Sequence, residues 1–454
     1  MPTQIQTTKN QADHPIVSIV CGNVYPIFDN STHAIYGGME TQAALIGRRL
    51  AANGWLRIHY VVSDFGQPFN TVLEGINFLI YQSAYRRIGR NVFPRLRKRR
   101  WFPKLTLDRS DLDLLWQIPL IAVWLALPAI FFPRFWRLLK PNAVFCFGNN
   151  ERSVEVIADC YRLGIPTLLY IASDKDISPD YRQGNHEPNH YGMPKWKGHY
   201  ALSMADCIIV QSEVQRAALM KYFGRSSTLI RNPVYVSPND RKQWLPREAR
   251  EYVLWIGRTD DFNKRPMLFL ELAHDCPEIT FLMLVGLTSE TSFHALKHAC
   301  PANLHIVEQV PQPEVWEYLS RARVLVNTSK FEGFPNTFLE AAVMGVPVVS
   351  LSVDPDGMLS QHGCGICAGG DTAVLRNAVR HLFQDNGEAE RYATASHAYT
   401  LEQHDAAGRI EEFEACLRKL MESTTQPARL PWWTLIHRFA GPRVRRNKPS
   451  KNIG

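Results

Sequence analysis

The chain has 454 residues, too many for one ordinary hydrophobic core, so at least two domains are expected. With 45% apolar and 21% charged residues, the composition is that of a globular protein and excludes a disordered chain. The net charge of +8 is localised, because residues 84–104 and 425–454 hold nine and seven basic residues and no acid, which leaves 35 basic against 43 acidic residues elsewhere.

Apolar segments alternate with helical segments along most of the chain. The strand-like segments of the first half are IVSIVCG (16–22), RIHYVVSD (57–64), AVFCFG (143–148), PTLLYIAS (166–173) and DCIIVQS (206–212). Those of the second half are YVLWIGR (252–258), ITFLMLVG (279–286), LHIVEQV (304–310), RVLVNTS (323–329) and VPVVSLS (346–352). This alternation predicts α/β architecture, with parallel sheets covered by helices on both faces.

A polar, proline-containing segment near residue 240 separates the two sets of strands. We therefore predict two Rossmann-like domains that face each other across a cleft, formed by residues 1–235 and 236–400. Residues 84–135 are expected to be a basic and apolar insertion in the first domain. Residues 401–424 are expected to form a C-terminal helix, and residues 425–454 a basic, aromatic tail.

Ligands of such sheets bind at the carboxyl ends of the strands, where loops with suitable residues occur. The first strand is followed by Gly37 and Gly38 and then an amphipathic helix, and the first strand of the second domain leads to Arg258 and Lys264. Glycines permit close approach to a phosphate, and basic residues neutralise it. Neither loop has the G-x-G-x-x-G or Walker A spacing, so nicotinamide dinucleotides and ATP are not favoured.

A third loop, in NTSKFEGFPNTFLEAAVMGVPVVSLS (327–352), places two glutamates eight residues apart. Asn336 is expected to cap a helix over residues 337–344 and Gly345 to be its C′ residue, so Glu340 lies within the helix and Glu332 before it. The unpaired N–H groups at the start of this helix suit a phosphate or sugar oxygen. Each feature alone is common, but their occurrence at equivalent strand ends of consecutive domains favours one binding site.

Four segments resemble glycosyltransferase family 4, a large family of retaining enzymes with the GT-B fold. FEGFPNTFLEAAVMGVPVV resembles its E-x7-E signature, and GGMETQAALIGRRLAANGW resembles its N-terminal GG-x-E helix. VLWIGRTDDFNKRP is similar to its Gly-Arg…Lys loop, and CIIVQSEVQRAALMKYFGRSSTLIRNPV to the segment that closes its first domain. The resemblance spans roughly residues 15–418, except for residues 84–135.

The resemblance implies a retaining transfer of sugar from a UDP- or GDP-linked donor to a saccharide or lipid-linked acceptor, with no metal or other cofactor. Arg258 and Lys264 would hold the donor pyrophosphate in place of a divalent cation, and Glu332 would lie near the reacting centre. Glu340 would bind the ribose, since the two oxygens of a carboxylate suit a vicinal diol. The other residues implied in donor binding are Gly38, Gly333, Phe334, Pro335 and Asn336.

The sequence departs from the family at one position. Family members commonly carry a histidine after the fourth or fifth strand of the first domain, where this chain reads FGNNERS and IASDKDIS. Asn149, Ser173 and Asp174 are therefore the candidates on the acceptor side. His186 and His190, in the loop GNHEPNHYG, are interpreted as ordinary polar residues that could instead contact substrate.

The nine cysteines lie mostly in apolar stretches, and the first fifteen residues do not read as a signal peptide, so we expect reduced thiols and a cytoplasmic protein. Cys364 and Cys367 form a C-x-x-C beside His362. No second ligand pair follows at zinc-site spacing, so a turn and a short strand are predicted there rather than a metal site.

Residues 114–133 carry no charge and are long enough to span a membrane. A single crossing would separate strands of one sheet, so we expect this segment to be buried in the protein or embedded in one leaflet. The two basic segments also contain aromatic residues, which favours an anionic membrane surface over nucleic acid, for which no motif is present. We therefore expect a peripheral protein on the inner face of the membrane.

Two other functions fit the same sequence features. A nucleotide-sugar epimerase on this fold would form product from the donor alone. A non-catalytic sugar-nucleotide or membrane-binding module would bind its ligand without turnover.

Overall fold

The computed structural model describes residues 14–29, 37–81, 134–286 and 290–423, which form two α/β domains with a sheet in each. The expected pair of Rossmann-like domains is confirmed. The basic segment 84–104, the apolar segment 114–133 and the tail 425–454 lie outside the described residues. Within the described part of the chain, no helix is both long and apolar enough to cross a membrane.

The first domain contains an eight-stranded sheet. Its strands, in spatial order, are β3 (Asn70–Leu73), β4 (Ile76–Ile80), β2 (Arg57–Val62), β1 (Ile16–Val20), β5 (Ala143–Phe147), β6 (Thr167–Tyr170), β7 (Cys207–Val210) and β8 (Thr228–Leu229). All neighbours are parallel except β3 and β4, which form a hairpin through Glu74 and Gly75, both with positive φ. The five central strands coincide with the predicted apolar segments, whereas the three short strands at the edges were not predicted.

Among the described residues before 235, five α-helices accompany this sheet. They are α1 (Gly38–Ala52), α2 (Arg134–Leu139), α3 (Glu151–Leu163), α4 (Lys195–Met204) and α5 (Glu213–Phe223). Ser212 begins α5 as its N-cap, and Gly224 ends it in the left-handed conformation.

The second domain contains a six-stranded, fully parallel sheet. Its strands, in spatial order, are β11 (Leu304–Glu308), β10 (Phe281–Gly286), β9 (Tyr252–Arg258), β12 (Ala322–Asn327), β13 (Val348–Ser350) and β14 (Gly365–Cys367). Strand β14 confirms the short strand predicted at the C-x-x-C. The helices are α6 (Pro266–Asp275), α7 (Glu290–His298), α8 (Gln312–Ser320), α9 (Asn336–Val343), α10 (Thr372–Gln384) and α11 (Asn386–His404).

The last described helix, α12 (Ala406–Glu422), returns to the first domain. The ring of Phe413 is fully buried there, with its centroid 5.9 Å from that of Phe145 and 6.1 Å from that of Tyr170. The chain therefore crosses between the domains twice, and the two crossings pair. Val234 donates to His404 O (2.9 Å), and Ala406 donates to Val234 O (3.0 Å).

The carboxylate of Asp356, in the second domain, binds residues of the first domain. It lies after β13 with φ +50°, and its carboxylate accepts hydrogen bonds from the backbone N–H groups of Glu213 (3.0 Å) and Val214 (3.3 Å) at the start of α5. The same carboxylate pairs with Arg231 Nη1 at 2.5 Å, and only 7% of the Asp356 side chain is exposed. A residue of one domain thus caps a helix of the other, where a negative charge is most favourable.

We predict that Asp356→Ala weakens domain closure. The substitution leaves a mostly buried guanidinium and two helix N–H groups without their acceptor, and loss of one partner of a buried pair costs about 3–5 kcal/mol. Small-angle X-ray scattering should show a larger radius of gyration, and the first unfolding transition should fall to lower temperature. Glu251→Ala, which breaks the exposed pair with Arg321, is the control. Identical scattering from wild type and Asp356→Ala would contradict the prediction.

Candidate active site

Each sheet has a topological switch point, the position at which the strand order reverses, and the two switch points face the same region. In the first sheet the strand order reverses at β1, between β2 and β5, and in the second it reverses at β9, between β10 and β12. Loops at the carboxyl ends of such strands are the usual ligand sites of parallel sheets. The loops that carry the two consecutive glycines, the Arg258–Lys264 pair and the two glutamates are those that follow β1, β9 and β12.

Asn263 ties the loop after β9 to the loop after β12. Its carbonyl accepts from the N–H of Lys330 (2.8 Å), and its side-chain Oδ1 accepts from the N–H of Phe331 (3.0 Å). Asp260 shapes the same loop, because its carboxylate accepts from the N–H groups of Phe262 and Asn263. The backbone around Lys264 is therefore fixed by the protein itself.

Arg265 forms a second brace, which the sequence analysis did not identify. It has φ +50° at the start of α6, and its guanidinium donates to the carbonyls of Thr328 (2.7 Å) and Ser329 (3.0 Å). Thr328 Oγ1 in turn donates to Lys264 O at 2.6 Å. The sequence feature that could have identified Arg265 is its position between Lys264, the predicted phosphate-binding residue, and the proline that starts the helix.

The structure brings two of the predicted catalytic residues together. The ammonium of Lys264 contacts the carboxylate of Glu332, and their side chains are 22% and 18% exposed. Arg258 ends β9, is partly exposed and makes no ion pair within the described residues. These three residues place two cations and one carboxylate at the switch point of the second sheet.

The helix after this loop differs from expectation at its start. Helix α9 begins at Asn336 with Pro335 as the flanking residue, so the prediction of Asn336 as the N-cap is wrong. The helix ends as predicted, since Gly345 has φ +65° and the N–H of Val346 donates to Ala341 O, closing a Schellman motif. Glu340 lies within α9 and is only 7% exposed.

Asn336 instead connects the two domains. Its Nδ2 donates to Gly38 O of α1 at 2.9 Å, and its Oδ1 accepts from Gln42 Nε2 (3.0 Å) and Asn232 Nδ2 (3.1 Å). A local capping rule cannot identify this role, because the partners lie 298, 294 and 104 residues away in sequence. Gly38 and Asn336, both predicted donor-binding residues, thus meet at the cleft.

The Gly333–Phe334 peptide packs directly against the first domain. The N–H of Phe334 donates to Gln211 Oε1 at 2.8 Å, and its carbonyl accepts from Asn232 Nδ2 at 3.0 Å. A Cβ on Gly333 would lie 2.8 Å from Ala172 O, so a side chain does not fit here. In this closed arrangement the amide of Phe334, one of those expected to hold the donor, is occupied by Gln211.

The three acceptor-side candidates have different environments. Ser173 caps the short 3-10 turn at 174–177, its Oγ accepting from the N–H of Lys175 at 3.4 Å. Asn149 is buried, and its Nδ2 donates to the carbonyls of Asp176 and Gly198. Both side chains hold the local backbone in place.

Asp174 is the candidate that lies in the cleft. Its N–H donates to Glu332 O at 3.4 Å, and its carboxylate accepts from Gln215 Nε2 at 3.0 Å, while the residue as a whole is exposed. Partial removal of the carboxylate from water raises the pKa of Asp174 to about 7, with a smaller contribution from the negative charge of Glu332 and an opposing one from the hydrogen bond of Gln215. An accessible carboxyl group with such a pKa can exchange a proton with a ligand near neutral pH.

The comparisons with known proteins agree with this geometry. Residues 250–385 match the family model described as "Glycosyl transferases group 1". The protein contains a glycosyltransferase domain. That domain carries Arg258, Lys264 and both glutamates, while no curated protein sequence matches the chain.

Solved structures with a similar fold cover nearly the whole chain. Sucrose-phosphate synthase from Thermosynechococcus elongatus has a TM-score of 0.61 at 16% identity, over 90% of this chain and 100% of that one. HepE of Anabaena, solved with UDP and glucose, has a TM-score of 0.59 at 15% identity, over 89% and 100%. An α,α-trehalose-phosphate synthase from Burkholderia vietnamiensis has a TM-score of 0.56 at 12% identity, over 89% and 99%. The GT-B fold implied by the resemblance is confirmed.

Proposed function

We propose that the protein is a retaining glycosyltransferase that moves a sugar from a UDP- or GDP-linked donor to a saccharide or lipid-linked acceptor. The observation that carries this proposal is the Lys264–Glu332 contact at the switch point of the second sheet, next to Asp174 of the first domain. The family match over the same loops supports it, as does the UDP and glucose bound in the similar fold of HepE.

Lys264 and Arg258 act on the leaving group. The bond that breaks joins the anomeric carbon to a phosphate oxygen, and the departing diphosphate gains negative charge in the transition state. Two fixed cations stabilise that charge, which is a task that other transferases give to a divalent metal ion. We therefore propose a reaction that needs no metal.

Glu332 changes partner when the donor enters. A diphosphate offers Lys264 more negative charge than one carboxylate does, so the ammonium turns from Glu332 to the phosphate. The carboxylate oxygens of Glu332 then accept hydrogen bonds from hydroxyls of the reacting sugar. Glu340, within α9, accepts hydrogen bonds from the ribose.

Asp174 orients the acceptor. Net retention in a single step requires the acceptor oxygen to attack from the face that the diphosphate leaves. The acceptor proton then passes to a departing phosphate oxygen. The ionised carboxylate of Asp174 accepts a hydrogen bond from the acceptor hydroxyl and holds it in that position.

Lys264→Ala and Arg258→Ala test the proposal directly. Each removes one fixed charge from the leaving group, and loss of one such group lowers the turnover rate by on the order of 10²–10³-fold. The measurement is release of UDP or GDP from a panel of nucleotide sugars. The control is Lys221→Ala, which changes an exposed lysine of α5. Activity should persist in EDTA.

Wild-type rates in both cation variants would remove these residues from the site. Loss of activity in EDTA, with recovery on adding Mg²⁺ or Mn²⁺, would refute the metal-independent route. Product formed from the donor alone, without an acceptor, would establish the epimerase instead.

The two glutamates should separate kinetically. Glu340→Gln should raise KM for the donor with little change in kcat, because the ribose is remote from the breaking bond. Glu332→Gln should lower kcat more than it raises KM, because its partner is at the reacting sugar. Initial-rate kinetics over donor concentration decide this, and an equal rise in KM alone for both variants would show that the roles are not divided.

Asp174 should set the acidic limb of the pH profile. Because its pKa is raised to about 7, this carboxyl is protonated below pH 7, where an ordinary aspartate would still be ionised. Wild-type kcat/KM should therefore fall as the pH drops through about 7. Asp174→Asn should lose this inflection, while Asp180→Asn, in an exposed neighbouring position, should keep it. A common inflection in all three proteins would assign the titration elsewhere.

We also propose peripheral attachment to anionic membranes through the basic segments 84–104 and 425–454. Anionic lipid attracts each basic residue near its surface by about 1 kcal/mol. In liposome flotation, binding should require anionic lipid, weaken with salt and decrease when residues 425–454 are removed. Failure of the intact protein to float with anionic liposomes at low salt would refute the attachment.

A further inference from the structure

Lys175 is a cation in the cleft that forms no ion pair with a carboxylate of the described residues. It lies in the 3-10 turn after β6, directly after Asp174, and its side chain is partly buried. Its ammonium makes neither a hydrogen bond nor an ion pair with any residue in the described ranges. Partial burial lowers the pKa of Lys175, and the charges of Asp260 and Glu332, which act in the opposite direction, do not offset it.

Two phenyl rings of the second domain surround this ammonium. Lys175 Nζ lies 4.3 Å from the ring centroid of Phe262 and 5.1 Å from that of Phe331. The imidazole of His190, from the first domain, stacks on Phe262 at 5.3 Å with an interplanar angle of 24°. The side chain of Phe262 is 54% exposed, so the rings line an open surface and do not form a closed core.

A cation–π contact does not by itself explain this arrangement. Such a contact is weak, whereas even the partial removal of a charge from water without an ionic partner carries a desolvation cost. Two carboxylates, Asp260 and Glu332, act on Lys175, but Asp260 accepts hydrogen bonds from the N–H groups of Phe262 and Asn263, and Glu332 contacts Lys264. Two further cations, Arg258 and Lys330, also lie close enough to act on Lys175. An anionic group of a ligand would therefore give the Lys175 ammonium the ionic partner that these residues do not supply.

The donor does not need all of these cations. In the proposed function its diphosphate engages Arg258 and Lys264 of the second domain. Lys175 belongs instead to the first domain and follows Asp174, the residue that we place at the acceptor hydroxyl. An anion held by Lys175 would thus belong to the molecule that also meets Asp174.

We propose that Lys175, His190, Phe262 and Phe331 form a subsite for a saccharide acceptor that carries an anionic group, a phosphate or a carboxylate. This inference rests on the proposed function and specifies its acceptor class. The ammonium holds the anionic group, and the exposed aromatic faces pack against the apolar face of the sugar ring. Since the subsite takes residues from both domains, it is complete only when the cleft is closed.

Isothermal titration calorimetry on the full-length protein saturated with UDP, or with GDP if that is the nucleotide it binds, tests the subsite. The probes are inorganic phosphate, glucose 6-phosphate and glucose, because the acceptor itself is unidentified. Glucose 6-phosphate should bind at least tenfold more tightly than glucose, and inorganic phosphate should bind detectably. In Lys175→Gln both anions should lose at least tenfold in affinity while the affinity for UDP stays within twofold.

Two further variants make the test specific. Lys175→Arg keeps the charge and should retain anion binding within a few-fold, which also covers the case in which the glutamine variant fails to fold. Lys221→Gln removes an exposed lysine of α5 and should leave all three affinities unchanged.

The inference is overturned if the phosphates bind no better than glucose, or if their advantage survives in Lys175→Gln. It is also overturned if glucose 6-phosphate binds only when the nucleotide is absent, since the anion would then occupy the donor phosphate site. Failure of the wild-type protein to bind UDP, GDP or their sugars contradicts the proposed function instead, so the two failures are distinct.

Discussion

The arrangement of the cleft depends on the hydrogen bonds that the side-chain amide of Asn336 forms between the two domains. One primary amide offers two donors and two lone pairs, and here it bonds to the carbonyl of Gly38 and to the amides of Gln42 and Asn232. The start of α9 is thereby held against the start of α1. Because helix N-termini carry partial positive charge, this contact brings two such termini to one place, which favours an anionic ligand between them.

The same closure creates a competition between protein and ligand. Gln211 occupies the amide of Phe334, and Glu332 occupies the ammonium of Lys264, so groups suited to a nucleotide sugar already have partners within the protein. A buried polar group left unpaired is costly, and these internal contacts remove that cost. In the proposed function, donor binding exchanges them for contacts with phosphate and sugar.

Charge is distributed between the domains in a way that fits a two-substrate site. The second domain contributes Arg258 and Lys264, whereas the first contributes Asp174 and Lys175 on one turn. A carboxyl group next to an ammonium can address a hydroxyl and an anionic substituent of the same molecule. The side chains of Ser173 and Asn149 form hydrogen bonds with the backbone of the turn that carries Asp174 and Lys175. These two candidates therefore act on the site through the backbone that they hold in place.

The sequence by itself determined the central strands, the two domains and the loops that carry Arg258, Lys264 and Glu332. Hydrophobic periodicity and turn residues act over a few neighbouring positions, so they can be recognised without knowing the rest of the fold. The short edge strands were missed because two to five residues give too little periodicity. Only the tertiary structure decided that Asn336 joins the domains, that Asp356 caps α5, that α12 returns to the first core and that Lys175 faces Phe262. Each of these roles depends on a partner far away in the chain, and no local pattern specifies which distant residues will meet.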